Sequence, residues 1–305
     1  MRVYSADEVH AALPWQSLAH AIHAAFVAGA EVPLRHAHAL SNRDTLLLMP
    51  AWNPRIIVLK LVTVLPEAVL TVQASVLVLD RASGTPLALL DGEALTLRRT
   101  AATSALAAQR LARADAHTLL VVGSGRLAAW MARAHVALRP GLRRVLVWAR
   151  RGDAAAALAH SLASEGVPAV AAGGLEAAVR EACIVCCATT STTPLVQGAW
   201  LAPGTHLDLV GGFKPDMREV DDAAVARARI IVDTRAGALA EAGDLVQPLA
   251  RGVIRLDRAV AELAELLRGQ CAGRTDADQI TMFKSVGTAL EDLAAAQLVI
   301  ESGAA

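Results

Sequence analysis

Between Leu119 and Ala128 the chain reads LLVVGSGRLA, an apolar run that stops at a glycine turn and continues into an alanine-rich stretch. A strand must end at Gly123, the backbone must turn tightly, and a helix must start within a few residues. The same change of period repeats downstream. VLVWAR from Val145 reads as a strand and Ala154 to Glu165 as a helix. VPAVAA, CIVCCAT, THLDLVGG and RIIVDT read as further strands, with LEAAVREA a helix among them. Strands alternating with helices predict an α/β domain built on a Rossmann-type, doubly wound parallel sheet, here over 116–284.

The turn itself has the form G-x-G-x-x-A. Gly123 permits the turn, Gly125 lets the backbone approach a pyrophosphate, and Ala128 lets helix and strand pack closely. Ser124, Arg126 and Leu127 complete a loop whose helix N-terminus offers free N–H groups to phosphates. An ordinary strand-to-helix turn is the alternative, and the flanking strand and helix favour the dinucleotide site. The next strand ends Val147-Trp-Ala-Arg150-Arg151, with no acid before Asp153. Arg150 and Arg151 suit a 2′-phosphate, so NADP(H) is preferred and NAD(H) remains possible.

The flanking sequence is different. Ser5-Ala-Asp-Glu has the form of a helix cap, and Trp15 to Ala28 continues as helix. From Val32, TLLLMPAW, RIIVLKLVTVLP, TVQASVLVLD and PLALLDG are short β-rich runs, with Asp80 to Pro86 a hairpin turn. A long helix follows from Gly92 to Ala114. These elements predict an α+β domain over 1–115, with a final helix from Phe283 to Ser302 in the tail.

Composition narrows the function. At roughly 150 residues per domain, 305 residues suggest two domains. Basic and acidic residues balance at 29 each, which argues against a nucleic-acid partner. MRVYSADEVHAAL lacks the apolar core of a signal peptide, and the uncharged run Ala182 to Leu207 is broken by TTSTTP, so a cytoplasmic protein without a membrane partner is expected. Four cysteines exclude a disulfide scaffold. Cys183, Cys186 and Cys187 lie in an apolar strand, where buried thiols are expected. His36 and His38 lack nearby carboxylate or cysteine partners, so no metal is assigned.

Only Lys60, Lys214 and Lys284 are lysines among the 29 basic residues. Lys60 interrupts the apolar IIVLKLVTVLP and must snorkel, be paired or face a cavity. Arg98 and Arg99 project about 100° apart on a helix, so at most one is expected to face inward. Arg35, Lys60 and Arg99, if they converge, would hold a carboxylate. Asp216, Arg218, Glu219 and Asp221 form a charged loop expected to make structural ion pairs, as are Asp233 and Asp244.

Along nearly its whole length the chain resembles the ornithine cyclodeaminase/mu-crystallin family. The resemblance is carried by PLRHAH, VLKLVTVLPE, LDGEALTLRRTAATSALAAQRLAR, GSGRLA, HLDLVGGFKPDMREVDD and QITMFKSVGTALEDLAAA. It implies a homodimer that uses NAD(P)(H), with the final helix (285–305) completing a substrate-binding and dimerisation domain with residues 1–115. Carried over by position, Arg35, Lys60 and Arg99 bind the substrate carboxylate, with Lys60 the catalytic candidate. Gly123, Ser124, Gly125, Arg126 and Leu127 take the dinucleotide, with Thr100, Phe213 and Ser285 toward the nicotinamide.

The family's cyclodeaminases and alanine dehydrogenases carry an aspartate where this chain has Phe213. Phe has no proton chemistry, and FKPDMRE resembles the ketimine-reductase branch instead. The expected reaction is NAD(P)H-dependent reduction of cyclic ketimine carboxylates, Δ1-pyrroline-2-carboxylate or Δ1-piperideine-2-carboxylate. Alternatives are ornithine cyclodeaminase or alanine dehydrogenase activity, or non-catalytic ligand binding of mu-crystallin type.

Overall fold

The structure, a computed structural model, describes residues 1–255 and 260–303. It divides into two compact units, Met1–Thr103 with the segment from Gly287 onward, and Ser104–Val286. The first division falls inside a helix, whereas the sequence places it after that helix, at 115/116.

The first unit opens with β1 (Arg2–Tyr4) and α1 (Ala6–Ala12). Ser5 and Glu8 form a capping box, with the Ser5 N–H donating to the Glu8 carboxylate at 2.8 Å. After α2 (Trp15–Ala28) come β2 (His36–Ala39), β3 (Thr45–Trp52), β4 (Ile56–Val64), β5 (Val72–Asp80) and β6 (Pro86–Asp91). The sheet order is β1-β6-β5-β4-β3-β2, antiparallel except for β1 against β6. Strand alternation decides the fate of Lys60. Ile56, Val58 and Lys60 share the buried face of β4, and Lys60 stands between Met49 and Val76 in the cross-strand register. A one-residue slip would expel the lysine, so the hydrophobic pattern and the buried charge fix the same register.

From β6 the chain passes directly into α3 (Gly92–Leu111). Asp91 accepts the Ala94 N–H at 2.8 Å, satisfying one of the free donors at the helix start.

The second unit alternates as its pattern predicts. It runs β7 (Thr118–Val122), α4 (Arg126–Leu138), β8 (Arg144–Trp148), α5 (Gly152–Ser164), β9 (Ala169–Ala171), α6 (Leu175–Glu181) and β10 (Ile184–Cys187). There follow β11 (His206–Leu209), α7 (Asp222–Arg227), β12 (Arg229–Val232), α8 (Arg235–Glu241), α9 (Gly243–Ala250), β13 (Ala261–Glu262), α10 (Leu263–Leu267) and β14 (Thr281–Lys284). All ladders are parallel, in the order β13-β12-β14-β11-β10-β7-β8-β9. The strand order reverses at β7, which has β8 on one side and β10 on the other. That is the switch point where such sheets bind ligands at their carboxyl ends.

The expected helix from Phe283 is corrected. Thr281–Lys284 is a strand in the middle of the sheet, and α11 (Ala289–Ser302) begins only after Gly287 and its cap, Thr288. Pairing with β11 and β12 in the sheet overrides the helical reading at Phe283 and Lys284, both fully buried. α11 packs on α2, β3 and β4 within the first unit. Among the described residues no helix is long and apolar enough to cross a membrane.

Gly92 joins β6 to the helix that carries Arg98 and Arg99, and a Cβ there would lie 2.5 Å from the Ala74 carbonyl carbon of β5. Gly92→Ala is expected to cost about 1–3 kcal/mol through backbone overpacking, measured as a lower denaturant midpoint at unchanged m-value.

Candidate functional site: a buried cation cluster and a dinucleotide-type cleft

The first unit brings Arg35, Lys60 and Arg99 around two acids of α11. Lys60 Nζ lies 2.7 Å from Asp292 Oδ2. Arg99 spans both acids, with Nε 3.1 Å from Asp292 Oδ1 and Nη1 2.5 Å from Glu291 Oε2. Arg35 donates to the Gly287 carbonyl at 2.7 Å. Gly287 has φ +83°, and a Cβ there would stand 2.7 Å from the Arg99 guanidinium, so glycine is required twice over. Lys60, Arg99, Glu291 and Asp292 are all buried.

Burial, with the Arg99 cation close by, pulls the Lys60 ammonium down to about 8, against the pull of Asp292. Burial pushes the Asp292 carboxyl up, but Lys60 and Arg99 outweigh it and hold the group below its ordinary range. Thr100, next along α3, is half-buried.

The expectation that only one of Arg98 and Arg99 turns inward is corrected: both are buried. Their 100° separation aims them at different partners. Arg98 lies over the Trp15 ring at 3.9 Å, a cation–π contact. Removing Asp292 takes an acid from two buried cations at once. Asp292→Ala is therefore expected to destabilise the protein by about 3–5 kcal/mol, read by denaturant unfolding.

In the second unit a cleft of about 530 Å³ opens at the sheet's switch point, between the loops after β7, β8 and β10. Gly123, Ser124 and Gly125 line it, as do Arg150 and Arg151. Gly123 has φ +128°, and a Cβ there would meet the Ala188 carbonyl oxygen at 2.6 Å. Gly125 is the N-cap of α4 and offers no side-chain cap, and the Ala128 N–H turns back to the Gly125 carbonyl at 3.1 Å. A helix start at a glycine turn on the cleft suits a pyrophosphate. Arg150 and Arg151 are exposed at the end of β8.

Phe213 follows Gly212 (φ +56°) and is 39% exposed, outside the core. Ser285 is buried at the end of β14, its hydroxyl 3.1 Å from Asp233 Oδ2. In the charged loop Arg218 is bonded to Asp222 at 2.8 Å, while Glu219 and Asp221 accept backbone N–H groups, those of Thr189 and Ala224. Asp244 is buried against Lys284, 3.1 Å away.

His36 and His38 are exposed on the edge strand β2. Cys186 and Cys187 are buried, and burial raises both thiols well above their usual range. His135, Cys186 and Asp208 do gather in the core. However, His135 Nε2 and Asp208 Oδ2 stand 2.8 Å apart, closer than the roughly 3.3 Å between two ligands of one tetrahedral zinc. The group is a hydrogen-bonded core pair.

Sequence reasoning passed over Glu291 and Asp292, and with them the anionic half of the cation cluster. The signal was available: two adjacent acids inside the apolar ALEDLAAAQLVI violate a helix's apolar face as plainly as Lys60 violates its strand. The hydroxyl-rich wall of the cleft, Thr189, Thr190 and Ser191, carried no comparable signal.

The family description that matches is the ornithine cyclodeaminase/mu-crystallin family, over residues 1–305. The chain is 43% identical to a Δ1-pyrroline-2-carboxylate reductase of Paracoccus denitrificans, covering 75% of this chain and 72% of that protein. The solved Δ1-pyrroline-2-carboxylate reductase of Thermococcus litoralis, in complex with NADH and L-proline, superposes with a TM-score of 0.94 at 31% identity, over 100% of this chain and 98% of that one. An archaeal alanine dehydrogenase dimer with bound NAD superposes with a TM-score of 0.93 at 26% identity, over 100% and 96% of the two chains. Both units, and the helix that returns to the first of them, are thus shared from end to end. The chain belongs to the ornithine cyclodeaminase/mu-crystallin family.

Proposed function

We propose that this chain reduces cyclic ketimine carboxylates, Δ1-pyrroline-2-carboxylate and Δ1-piperideine-2-carboxylate, to L-proline and L-pipecolate, with NADPH preferred over NADH. The observation that carries the reading is the buried Lys60–Asp292–Arg99 cluster, in a chain 43% identical to a protein named for this reaction. A homodimer belongs to the same reading, supported by the relative solved as a dimer with NAD.

The reduced nicotinamide supplies a hydride when bound. Arg35, Lys60 and Arg99 bind the substrate carboxylate and fix the imine carbon for attack, and orientation of this kind removes much of a barrier. Glu291 and Asp292 temper the cluster, so that the cationic iminium is not repelled by three uncompensated charges. Lys60, titrating near 8, is the group able to give a proton to the imine nitrogen, while the hydride goes to carbon. Phe213 offers no proton chemistry, and with Lys60 as the proton source the reduction needs none from it. Arg150 and Arg151 line the cleft, and the affinity of guanidinium groups for a 2′-phosphate supports the NADPH preference.

The test is oxidation of NADPH and NADH with each imine, with L-ornithine and NAD⁺ assayed in parallel for ammonia. Turnover of the imines is expected. Lys60→Ala or Arg99→Ala should lower kcat/KM about ten- to a hundredfold, the worth of a charged hydrogen bond to substrate. Ammonia from ornithine with silent imines overturns the proposal.

The substrate KM should also depend on pH. Lys60 is cationic below about 8, so KM should rise as pH increases through that value, and Lys60→Arg should flatten the rise. For the cofactor, replacing Arg150 and Arg151 by Ser should raise the NADPH KM about tenfold and leave that for NADH unchanged. Equal losses for both cofactors would remove the assigned preference.

A further inference from the structure

One buried acid beneath the dinucleotide-type cleft has no part in the reaction above. Glu219 is fully buried, and it holds the segment Ala188–Val196 at both ends. At the start of the segment, Glu219 Oε1 accepts from the Thr189 N–H at 2.8 Å and from the Thr189 hydroxyl at 2.9 Å. At its end, the Glu219 carbonyl accepts from the Leu195 and Val196 N–H groups at 2.9 and 3.0 Å. Between them, the Arg218 N–H donates to the Ser191 carbonyl at 2.8 Å. The same segment walls the cleft through Ala188, Thr189, Thr190, Ser191 and Leu195.

Glu219 is itself anchored from below. Asp244 Oδ1 accepts the Glu219 N–H at 2.8 Å, and Asp244 Oδ2 meets Lys284, whose ammonium also donates to the Gly211 carbonyl. Gly211 is glycine because the Glu219 carboxylate and the Thr189 carbonyl occupy the space of a Cβ. The loops after β10 and β11, the first turn of α9 and the end of β14 therefore meet at one carboxyl group and its supports.

From this geometry we infer that Glu219 is a positioning residue for the dinucleotide: by pinning both ends of Ala188–Val196 it sets the shape of the cleft wall, and cofactor affinity depends on the reach of its side chain as a hydrogen-bond acceptor. The inference rests on the dinucleotide reading of the cleft. Burial and the neighbouring Asp244 push the Glu219 carboxyl above its usual range, against the pull of Lys284, so the neutral acid is accessible and glutamine is a close mimic of it.

Glu219→Gln and Glu219→Asp separate reach from charge. Glutamine keeps Oε1 where both Thr189 donors meet it. Aspartate keeps the charge but is one methylene too short. Dissociation constants for NADPH and NADH, read from the fluorescence of the bound nicotinamide, should be near wild type for Glu219→Gln and about tenfold weaker for Glu219→Asp, the worth of two lost hydrogen bonds. With cofactor saturating, kcat for the imines should stay within about threefold of wild type in both, since neither touches the reacting atoms.

Wild-type cofactor affinity in Glu219→Asp, or weak affinity in Glu219→Gln alone, overturns the assignment. Failure of the unaltered chain to bind either dinucleotide overturns the cleft reading and this inference with it. Dinucleotide binding without imine turnover overturns only the proposed reaction.

Discussion

The first unit depends on one buried ion pair, Lys60 with Asp292. A lysine on the inner face of a β-strand is tolerable only when an acid is held against it, because desolvating a lone ammonium costs several kcal/mol. That requirement reaches far along the chain. It fixes the register of β4 and lays α11 across β3 and β4. Arg99 then closes the arrangement by bridging Asp292 and Glu291, and Gly287 is the residue that leaves it room. Such a cluster sacrifices stability that an apolar core would have provided, which is physically sensible where a carboxylate has to be held in a site with little water.

The second unit solves a related problem with the opposite emphasis. Lys284 is as deeply buried as Lys60, and it too has an aspartate. Here the charges lie under loops at the carboxyl ends of the strands, and they order backbone: Lys284 holds the Gly211 carbonyl, and Asp244 holds two consecutive N–H groups, those of Glu219 and Val220. Lys214, the remaining lysine, is exposed. In a chain that uses arginine for almost all its positive charge, the two inward lysines each pair with a buried aspartate. A compact ammonium fits a single acid or carbonyl in a tight space better than a guanidinium does.

The parallel sheet was legible because its evidence is local: each strand, turn and helix from β7 to β10 shows in a window of about ten residues. Gly123 and Gly125 could be assigned for the same reason, and Lys60 stood out by contradicting its own strand. The helical reading of Phe283 failed because β14 is a four-residue strand inserted between β11 and β12, and nothing within four residues reports such distant partners. Thr189 was missed on similar grounds. A threonine in TTSTTP looks like any loop threonine until Glu219, thirty residues on, is seen to accept both of its protons. Arg98 shows a further limit, since the Trp15 ring over which it lies is a partner that a search among charged residues overlooks.

The return of α11 also orders events in time. Arg99 and Asp292 are separated by 193 positions, and the whole of the second unit is synthesised between them. On the ribosome the Rossmann-type sheet has all its strands before either acid of α11 has been made. Until then the six-stranded sheet has a cation on its inner face with no counter-charge and an apolar surface with no helix to cover it. The segment that closes the first unit therefore emerges after the second unit, and a nascent chain stalled short of α11 would carry one finished unit and one that a chaperone has to shield.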